Sequence, residues 1–431
     1  MERLAKITGH LRTGEFKEAS LSPNETSWST VGAKRPDDVV IVSALRTAIG
    51  KARKGSFKDT LPDTLLTAVL KATVDQTGLK PEVVDDIVVG NVQLGGSYAA
   101  GARMAMLVAG FPASVPVSAV NRQCSSGLQA VANVAASIKA GLIDVGIGAG
   151  VESMTQGGGV APGTGNNAPP PFNFTAIMEN DLARQCLTPM GVTSENVAER
   201  YGITRAQQDQ MAFESHTKAL AAQAHGYFKN EIVPVTTTVT DKEGNESEIT
   251  VTKDDGPRKG TTMARLAKLR TVFKADGGTT TAGNASQVSD GAAAVLLMKR
   301  AKAQELGLNP IGCFRGYKVV GVRPDEMGIG PAAAIPPALA QCGLKIDDVD
   351  TYEINEAFAS QAVYCVNKLG IDMKKVNPNG GAIALGHPLA CTGARQVATL
   401  LHHLHRTNGK VGVVSMCIGT GMGMAAVIEA E

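Results

Sequence analysis

Three side chains stand in settings that could make them reagents: Cys124, His387 and Cys417. Cys124 lies in Val120-Asn121-Arg122-Gln123-Cys124-Ser125-Ser126-Gly127, where a strand-like segment gives way to Leu128 to Ile138, apolar or small on nearly every face. Such a helix is buried. The unpaired N–H groups and macrodipole at its N-terminus favour a thiolate over a thiol and supply donors to a developing oxyanion. A cysteine there is either a small core hydrophobe, the common fate of a free thiol, or a nucleophile of lowered pKa. His387 ends the run Gly380-Gly381-Ala382-Ile383-Ala384-Leu385-Gly386-His387-Pro388. Pro388 biases it to an extended conformation just before a helix, and an imidazole titrating near neutrality is the natural partner of a thiol nucleophile. Cys417 follows the strand Val411 to Met416 and opens Cys417-Ile418-Gly419-Thr420-Gly421-Met422-Gly423, whose glycines let backbone N–H groups point at an anion. The same glycines could suggest a dinucleotide, but only a strand-sized tail, Met424 to Glu431, follows, so no crossover helix and second strand fit. His402, His403 and His405 share one helix ending with no carboxylate or cysteine at ligand spacing, and are read as structural or exposed.

The elements that must position these residues fall into two related halves. Gly78-Leu79-Lys80 leads to Val84-Asp85, and Gly343-Leu344-Lys345 leads to Val349-Asp350, an offset of 343 − 78 = 265. Cys124-Ser125-Ser126-Gly127 matches Ala390-Cys391-Thr392-Gly393 at 393 − 127 = 266. Each half reads as helix, GLK turn, strand, glycine-containing loop, buried helix and strand, the alternation of a layered α/β fold with crossover helices. Between the halves the character changes. Thr155 to Phe172 is a Gly/Pro/Asn loop. Thr204-Arg205-Ala206-Gln207 has the form of a capping box opening a helix to about Ala224. Val233 to Thr240 and Glu248 to Thr252 flank a polar loop on Gly244-Asn245 and read as a β-hairpin. Pro257 to Lys274 then carries Arg258, Lys259, Arg265, Lys268, Arg270 and Lys274, either a phosphate-receiving cluster or a solvated face balanced by Asp254 and Asp255.

Composition narrows the chemistry. The chain has 431 residues, 43% hydrophobic, 48 glycines and a formal charge of +2, describing a large α/β chain of two or three domains. Basic residues form no long block, which argues against nucleic acid and membrane-surface partners. Seven cysteines without CxxC pairing fit free thiols in a reducing compartment, with no metal site expected. Apolar stretches are broken well short of about 18 residues, so no membrane span is expected. Residues 1–35, which hold the only tryptophan, Trp28, read as an extension preceding the fold. Within it Arg3-Leu4, five residues, His10-Leu11 resembles an N-terminal type 2 peroxisomal targeting signal, an address read by an import receptor.

Taken together, NRQCSSG around Cys124, NEAFA from Asn355 to Ala359, GGAIALGHP through His387 and CIGTGMG from Cys417 resemble the thiolase family, in its degradative 3-ketoacyl-CoA branch of peroxisomes. The likeness runs from about Asp37 to Glu431. It implies a five-layered α-β-α-β-α fold of duplicated halves with an inserted loop domain. The division expected is an extension over 1–35, an N-terminal half over 36–300 with the insert at 156–275, and a C-terminal half over 301–431. The implied reaction is thiolytic cleavage of 3-ketoacyl-CoA through an acyl-cysteine, with coenzyme A as co-substrate, no cofactor, a homodimeric assembly and a peroxisomal location. A condensing ketoacyl synthase or a non-catalytic CoA or lipid carrier are the alternatives, and Cys417 with the single GHP run discriminates against both.

By the same resemblance, Cys124 is the nucleophile, His387 its base and Cys417 the second acid and base. Asn355, through a held water, joins His387 in one oxyanion hole, and the N–H groups of Cys124 and Gly419 form the other. Arg258, Arg265, Phe273, Ala282 and Ser286 match positions that hold CoA, and Met190 and Phe358 match the acyl and thioester pocket. Arg265 stands where some relatives have Ser. Pro189 stands where short-chain members have His, which points to broader chain-length use. Ala390 replaces a glycine usual after the GHP run, an exchange expected to alter the loop because Ala reaches positive φ only at a cost.

Overall fold

The computed structural model describes residues 31–157 and 172–431. The expected targeting signal at Arg3 to Leu11, and residues 158–171 of the Gly/Pro/Asn loop, lie outside the described residues. The first half supplies β1 (Val39–Thr47), the short β2 (Gly50–Lys51), β3 (Asp86–Gly90), β4 (Val117–Val120) and β5 (Val145–Ser153). The excursion carries β6 (Ile232–Val233), β7 (Val235–Thr240) and β8 (Glu246–Val251), and β9 (Ser289–Lys299) returns the chain to the core. The second half supplies β10 (Gly312–Gly321), β11 (Thr351–Ile354), β12 (Val411–Ile418) and β13 (Met422–Ala430). The main helices are α1 (Pro62–Thr77), α2 (Ala99–Val108), α3 (Ser126–Lys139), α4 (Met190–Tyr201), α5 (Arg205–Ala224), α6 (Gly330–Gln341), α7 (Ala359–Leu369) and α8 (Leu389–Thr407).

The duplication read from two offsets is physical. In the first half β1 pairs antiparallel with β9, β9 antiparallel with β5, and β5 parallel with β3. In the second, β10 pairs antiparallel with β13, β13 antiparallel with β12, and β12 parallel with β11. The two GLK turns match atom for atom. Gly78 and Gly343 adopt the left-handed conformation that ends a helix, and the next N–H returns to a carbonyl five residues back, Leu79 to Val74 and Leu344 to Leu339. The aspartates that follow also act alike. An Asp85 carboxylate oxygen accepts the Asp144 and Val145 N–H groups, and an Asp350 oxygen accepts those of Lys410 and Val411. Each pins the start of a central strand.

The halves join where β1 meets β10, through Val40 opposite Cys313 and Ile41 opposite Gly312, giving one continuous sheet. It doubles around α3 and α8. Leu128 and Val131 of α3 and Val397 and Leu400 of α8 share a core with Leu297 of one half and Met416 and Ile428 of the other. Outside the first half, Leu65 and Val69 of α1 and Met106 of α2 pack on Ile87 and Ile147. Outside the second, Ile335 and Leu339 of α6 and Val366 of α7 pack on Tyr352 and Val413. The result is five layers, α-β-α-β-α. Covered on both faces, the central strands read as apolar runs rather than alternating ones, as in Ser289–Lys299, buried at every position but the last.

The middle layer is unusually close. A Cβ on Gly127 would stand 2.2 Å from the Ala390 carbonyl oxygen, and one on Gly150 would stand 2.1 Å from the same atom, so only glycine lets α3, β5 and α8 meet. Ala390 itself lies in the first turn of α8 and has no positive φ. The expected strain at that exchange therefore does not arise, because the position asks for helical backbone.

The excursion follows its local signals. Thr204 caps α5 in a full capping box with Gln207, and β7 and β8 pair antiparallel over a turn whose Gly244 has φ 88°. The basic stretch after it is not balanced by its neighbouring acids. Asp254 is buried against Arg46 at 2.6 Å, and Asp255 accepts from Ser56 and Lys51, so both carboxylates face inward. Among the described residues Arg258, Lys259, Lys268 and Arg270 form no ion pair, and Lys274 alone meets an acid, Glu199 at 3.0 Å.

Candidate active site

The chain leaves β4 and turns into α3 through a tightly tied corner. Gln123 sits at φ 48°, left-handed backbone that a residue with a Cβ adopts at a cost of about 1–3 kcal/mol. Its N–H donates to Asn121 Oδ1 at 2.9 Å, its carbonyl accepts from Ser126 Oγ at 2.6 Å, and that hydroxyl accepts the Arg122 N–H at 2.9 Å. The corner holds Cys124 two residues ahead of α3. Cys124 is partly exposed as a residue, yet its sulfur is enclosed, and burial pushes the thiol up to about 11. Hydrogen bonds from the Gly419 N–H and its own N–H pull the other way, and the charge of Glu152 adds to the rise. The expected lowering by the helix N-terminus is thus overruled by desolvation: the resting group is a thiol.

Glu152, on β5, lies near enough for its charge to be felt at Cys124. Its carboxylate accepts from the Val92 and Gln93 N–H groups, from Asn91 Nδ2 and from the Ala390 N–H, tying a first-half loop to the start of α8. Burial raises it to about 7.

His387 enters from the second half. Gly386 before it has φ 115°, and a Cβ there would lie 2.3 Å from Ser289 Oγ, so the turn that aims the imidazole requires glycine. The His387 N–H donates to the Gln287 carbonyl at 3.0 Å. Its Nδ1 is 2.7 Å from Thr392 Oγ1 and its Nε2 is 3.3 Å from Asn355 Nδ2. With Asn355 donating, Nε2 carries the lone pair and Nδ1–H donates to Thr392, the tautomer of a base. Burial pushes the imidazole down to about 3, helped by the Arg395 charge, so it is neutral at rest. Asn355 lies just past β11, and its Oδ1 is buried without a hydrogen bond to any described residue.

Cys417 lies near the end of β12, fully buried in a small apolar cluster with Met327 and Ala357, against which Met190 and Phe358 pack. Burial raises its thiol well above the usual range, and the nearness of Cys124 and Cys365 adds to it. The chain then turns through Gly419 and Thr420, the latter at φ 69° with its hydroxyl bonded to the Gly419 carbonyl. Among the described residues neither the Gly419 N–H nor the Cys124 N–H donates to a backbone carbonyl, which leaves both directed at the sulfur.

The structure thus sets Cys124 against Gly419 and near Cys417, joins His387 to Asn355 and Thr392, and packs Met190 and Phe358 beside Cys417. Phe273 reaches the same wall: its ring meets that of Phe358 edge-on at 6.3 Å. The Ser286 N–H donates to the Ala357 carbonyl at 3.0 Å, placing that loop against the NEAFA turn. Ala282 is exposed nearby in sequence. Arg258 and Arg265 stand apart, both exposed: the Arg258 N–H is tied to His216 Nδ1 at 3.3 Å, and Arg265 folds onto the Gly260 carbonyl at 2.8 Å. Sequence reasoning passed over Thr392, which fixes the imidazole, Met327, which walls Cys417, and Glu152. Thr392 was visible only as a hydroxyl five residues after the histidine. Chemically, two thiols, one neutral imidazole and convergent N–H donors can form a thioester, carry an oxyanion and move a proton on either side of it.

The sequence matches "Thiolase, N-terminal domain" over residues 39–301 and "Thiolase, C-terminal domain" over 308–430. It is 57% identical to the peroxisomal 3-ketoacyl-CoA thiolase B of Rattus norvegicus over 432 residues, covering 100% of this chain and 99% of that protein. Its structure is similar to that of the dimeric peroxisomal thiolase of Saccharomyces cerevisiae, with TM-score 0.84 and 48% identity over 93% of this chain and 99% of that one. A further structure of the yeast peroxisomal 3-ketoacyl-CoA thiolase, described as five-layered and constructed from two core domains of identical topology, matches with TM-score 0.74 and 44% identity over 93% of this chain and 100% of that one. With both family regions matched in order across the chain, this protein belongs to the thiolase family.

Proposed function

We propose that this chain is a 3-ketoacyl-CoA thiolase that uses coenzyme A to cleave 3-ketoacyl-CoA into acetyl-CoA and an acyl-CoA shortened by an acetyl unit, the last step of fatty-acid β-oxidation. The carrying observation is a pair of enclosed thiols, Cys124 and Cys417, close to one another, together with a buried neutral histidine held by Asn355 and Thr392. In this reading His387 Nε2 takes the Cys124 proton as the sulfur attacks the 3-keto carbon, and the oxyanion formed there is held by N–H donors. The bond between C2 and C3 then breaks, the acyl group stays on Cys124, and the departing acetyl-CoA enolate takes a proton from Cys417. Asn355 Oδ1, free to hold a water beside His387, supports a second hole for the enolate oxygen. Coenzyme A next gives its proton to Cys417, attacks the acyl-cysteine and releases Cys124, which recovers its proton from His387. Each oxyanion donor is worth about 3 kcal/mol of barrier.

Supporting roles follow by position. Met190 and Phe358 wall the acyl and thioester pocket, and Phe273, Ala282 and Ser286 line the approach of the pantetheine. Arg258 and Arg265 belong to an exposed basic stretch whose cations are mostly unpaired, suited to CoA phosphates. The division into halves at 36–300 and 301–431, with the insert at 156–275, agrees with the repeated strand order. A homodimer working in the peroxisome accords with the named relatives, and residues 1–35 are read as the import receptor's address.

Incubation with 3-ketoacyl-CoA and no free coenzyme A should leave an acyl mass on the peptide containing Cys124. An unchanged intact mass, or an adduct on another cysteine, would remove the nucleophile assignment. For the address, residues 1–35 fused to a fluorescent reporter should give punctate peroxisomal signal, and diffuse cytosolic fluorescence would sink the claim.

A further inference from the structure

Behind the loop that follows Cys417 lies an apolar groove that no step above employs. One wall is the short helix Asp181–Gln185 with Cys186, and the other is the segment Gly321 to Pro324 at the end of β10. Both walls touch the catalytic loop. Cys186 Sγ lies 3.8 Å from the Thr420 carbonyl, and the Val322 N–H donates to the Gly421 carbonyl at 2.9 Å. Gly421, at φ 90°, passes so near that wall that a Cβ would stand 2.5 Å from the Val322 carbonyl oxygen. The groove is shallow and open to solvent, about 480 Å³ in volume, and Leu182, Ala183, Val322 and Pro324 line it. Its one charged group, Arg323, leans on Asp325 at 3.4 Å. Outward, the apolar surface continues over Leu182, Met178 and Phe174, each more than half exposed.

These features suit an occupant that makes no hydrogen bonds and arrives from the Cys417 side. The cluster around Cys417 is walled by Met190, Met327 and Phe358, and a long acyl chain would extend past it. Across Thr420 and Gly421 lies this groove, whose two walls touch those residues. We infer that it receives the distal methylenes of a long acyl chain whose carbonyl end is on Cys124, making Leu182, Ala183 and Val322 determinants of chain length. The inference rests on the thiolase reading above.

The test compares kcat/KM for 3-ketohexadecanoyl-CoA and 3-ketohexanoyl-CoA in the full chain and in Ala183→Trp and Leu182→Ser. The long-to-short ratio is read within each preparation, so partial misfolding cancels. Each methylene returned to water is worth about fourfold. Ala183→Trp, which fills the groove, should lower the ratio at least tenfold, and Leu182→Ser should lower it severalfold. An unchanged ratio in both variants overturns the groove. So does conversion of the assembly to a smaller one by Ala183→Trp on size-exclusion chromatography, which would mark the groove as a contact with a second copy. Failure of the unaltered chain to cleave either substrate would instead sink the thiolase reading itself.

Discussion

A thiol held up near 11 and an imidazole held down near 3 are both neutral at rest, not a preformed thiolate–imidazolium pair. Reactivity in this chain therefore arises when substrate oxygen reaches the N–H donors and the proton moves with the attack. Below its folded pKa the thiolate fraction of Cys124 grows about tenfold per pH unit. Alkylation of Cys124 by iodoacetamide, followed by peptide mass, should keep accelerating from pH 7 to pH 10. A plateau below pH 8 would contradict the enclosed thiol. Thr392→Val should remove the group that fixes the imidazole tautomer and lower kcat/KM about tenfold to a hundredfold, from the about 1–3 kcal/mol lost when a buried donor has no acceptor. An unchanged kcat/KM would leave Thr392 with no positioning role. The reactive residue types were legible from sequence because thiol, imidazole and glycine-rich loop each announce their chemistry locally. The direction of the Cys124 shift was not, since it depends on how completely distant strands and α8 enclose the sulfur.

At the scale of elements, the helix over Ser126–Lys139, the capping box at Thr204 and the hairpin around Gly244 follow from signals within a few residues of each. What local signals could not provide was the contact of α3 with α8. It made Gly127 read as part of a loop, and it made Ala390 read as a source of strain although its backbone is helical. Gly127→Ala should push the two helices apart and destabilise the chain by about 1–3 kcal/mol, the usual effect of overpacking. The midpoint of urea unfolding measures this, and an unmoved midpoint would mean the layer yields easily. Activity should fall as well, since the same displacement moves the Cys124 corner.

For the molecule as a whole, the duplication could be inferred from two offsets, but the joining of the halves through β1 and β10 and their shared middle core could not. One hydrophobic cluster spans α3, α8 and strands of both halves, so the halves share the middle of their interior, while each keeps an outer cluster of its own. Their stability should be correspondingly common. In native-state hydrogen exchange, amides of α3 and α8 are expected in the same slowest-opening group, with equal opening free energies. Separate groups, one for each half, would show that the layer is an interface rather than a core. The excursion, whose hairpin pairs only with itself among the described residues, should open first.

The contact of Gly127 and Gly150 with one carbonyl of Ala390 also limits how such a chain can vary. Gly127 and Gly150 lie in the first half and Ala390 in the second, and neither glycine can accept a side chain unless the start of α8 retreats. A side chain at either glycine would have to be matched by a shift of the other half's helix, so the two halves are not free to change independently at this contact.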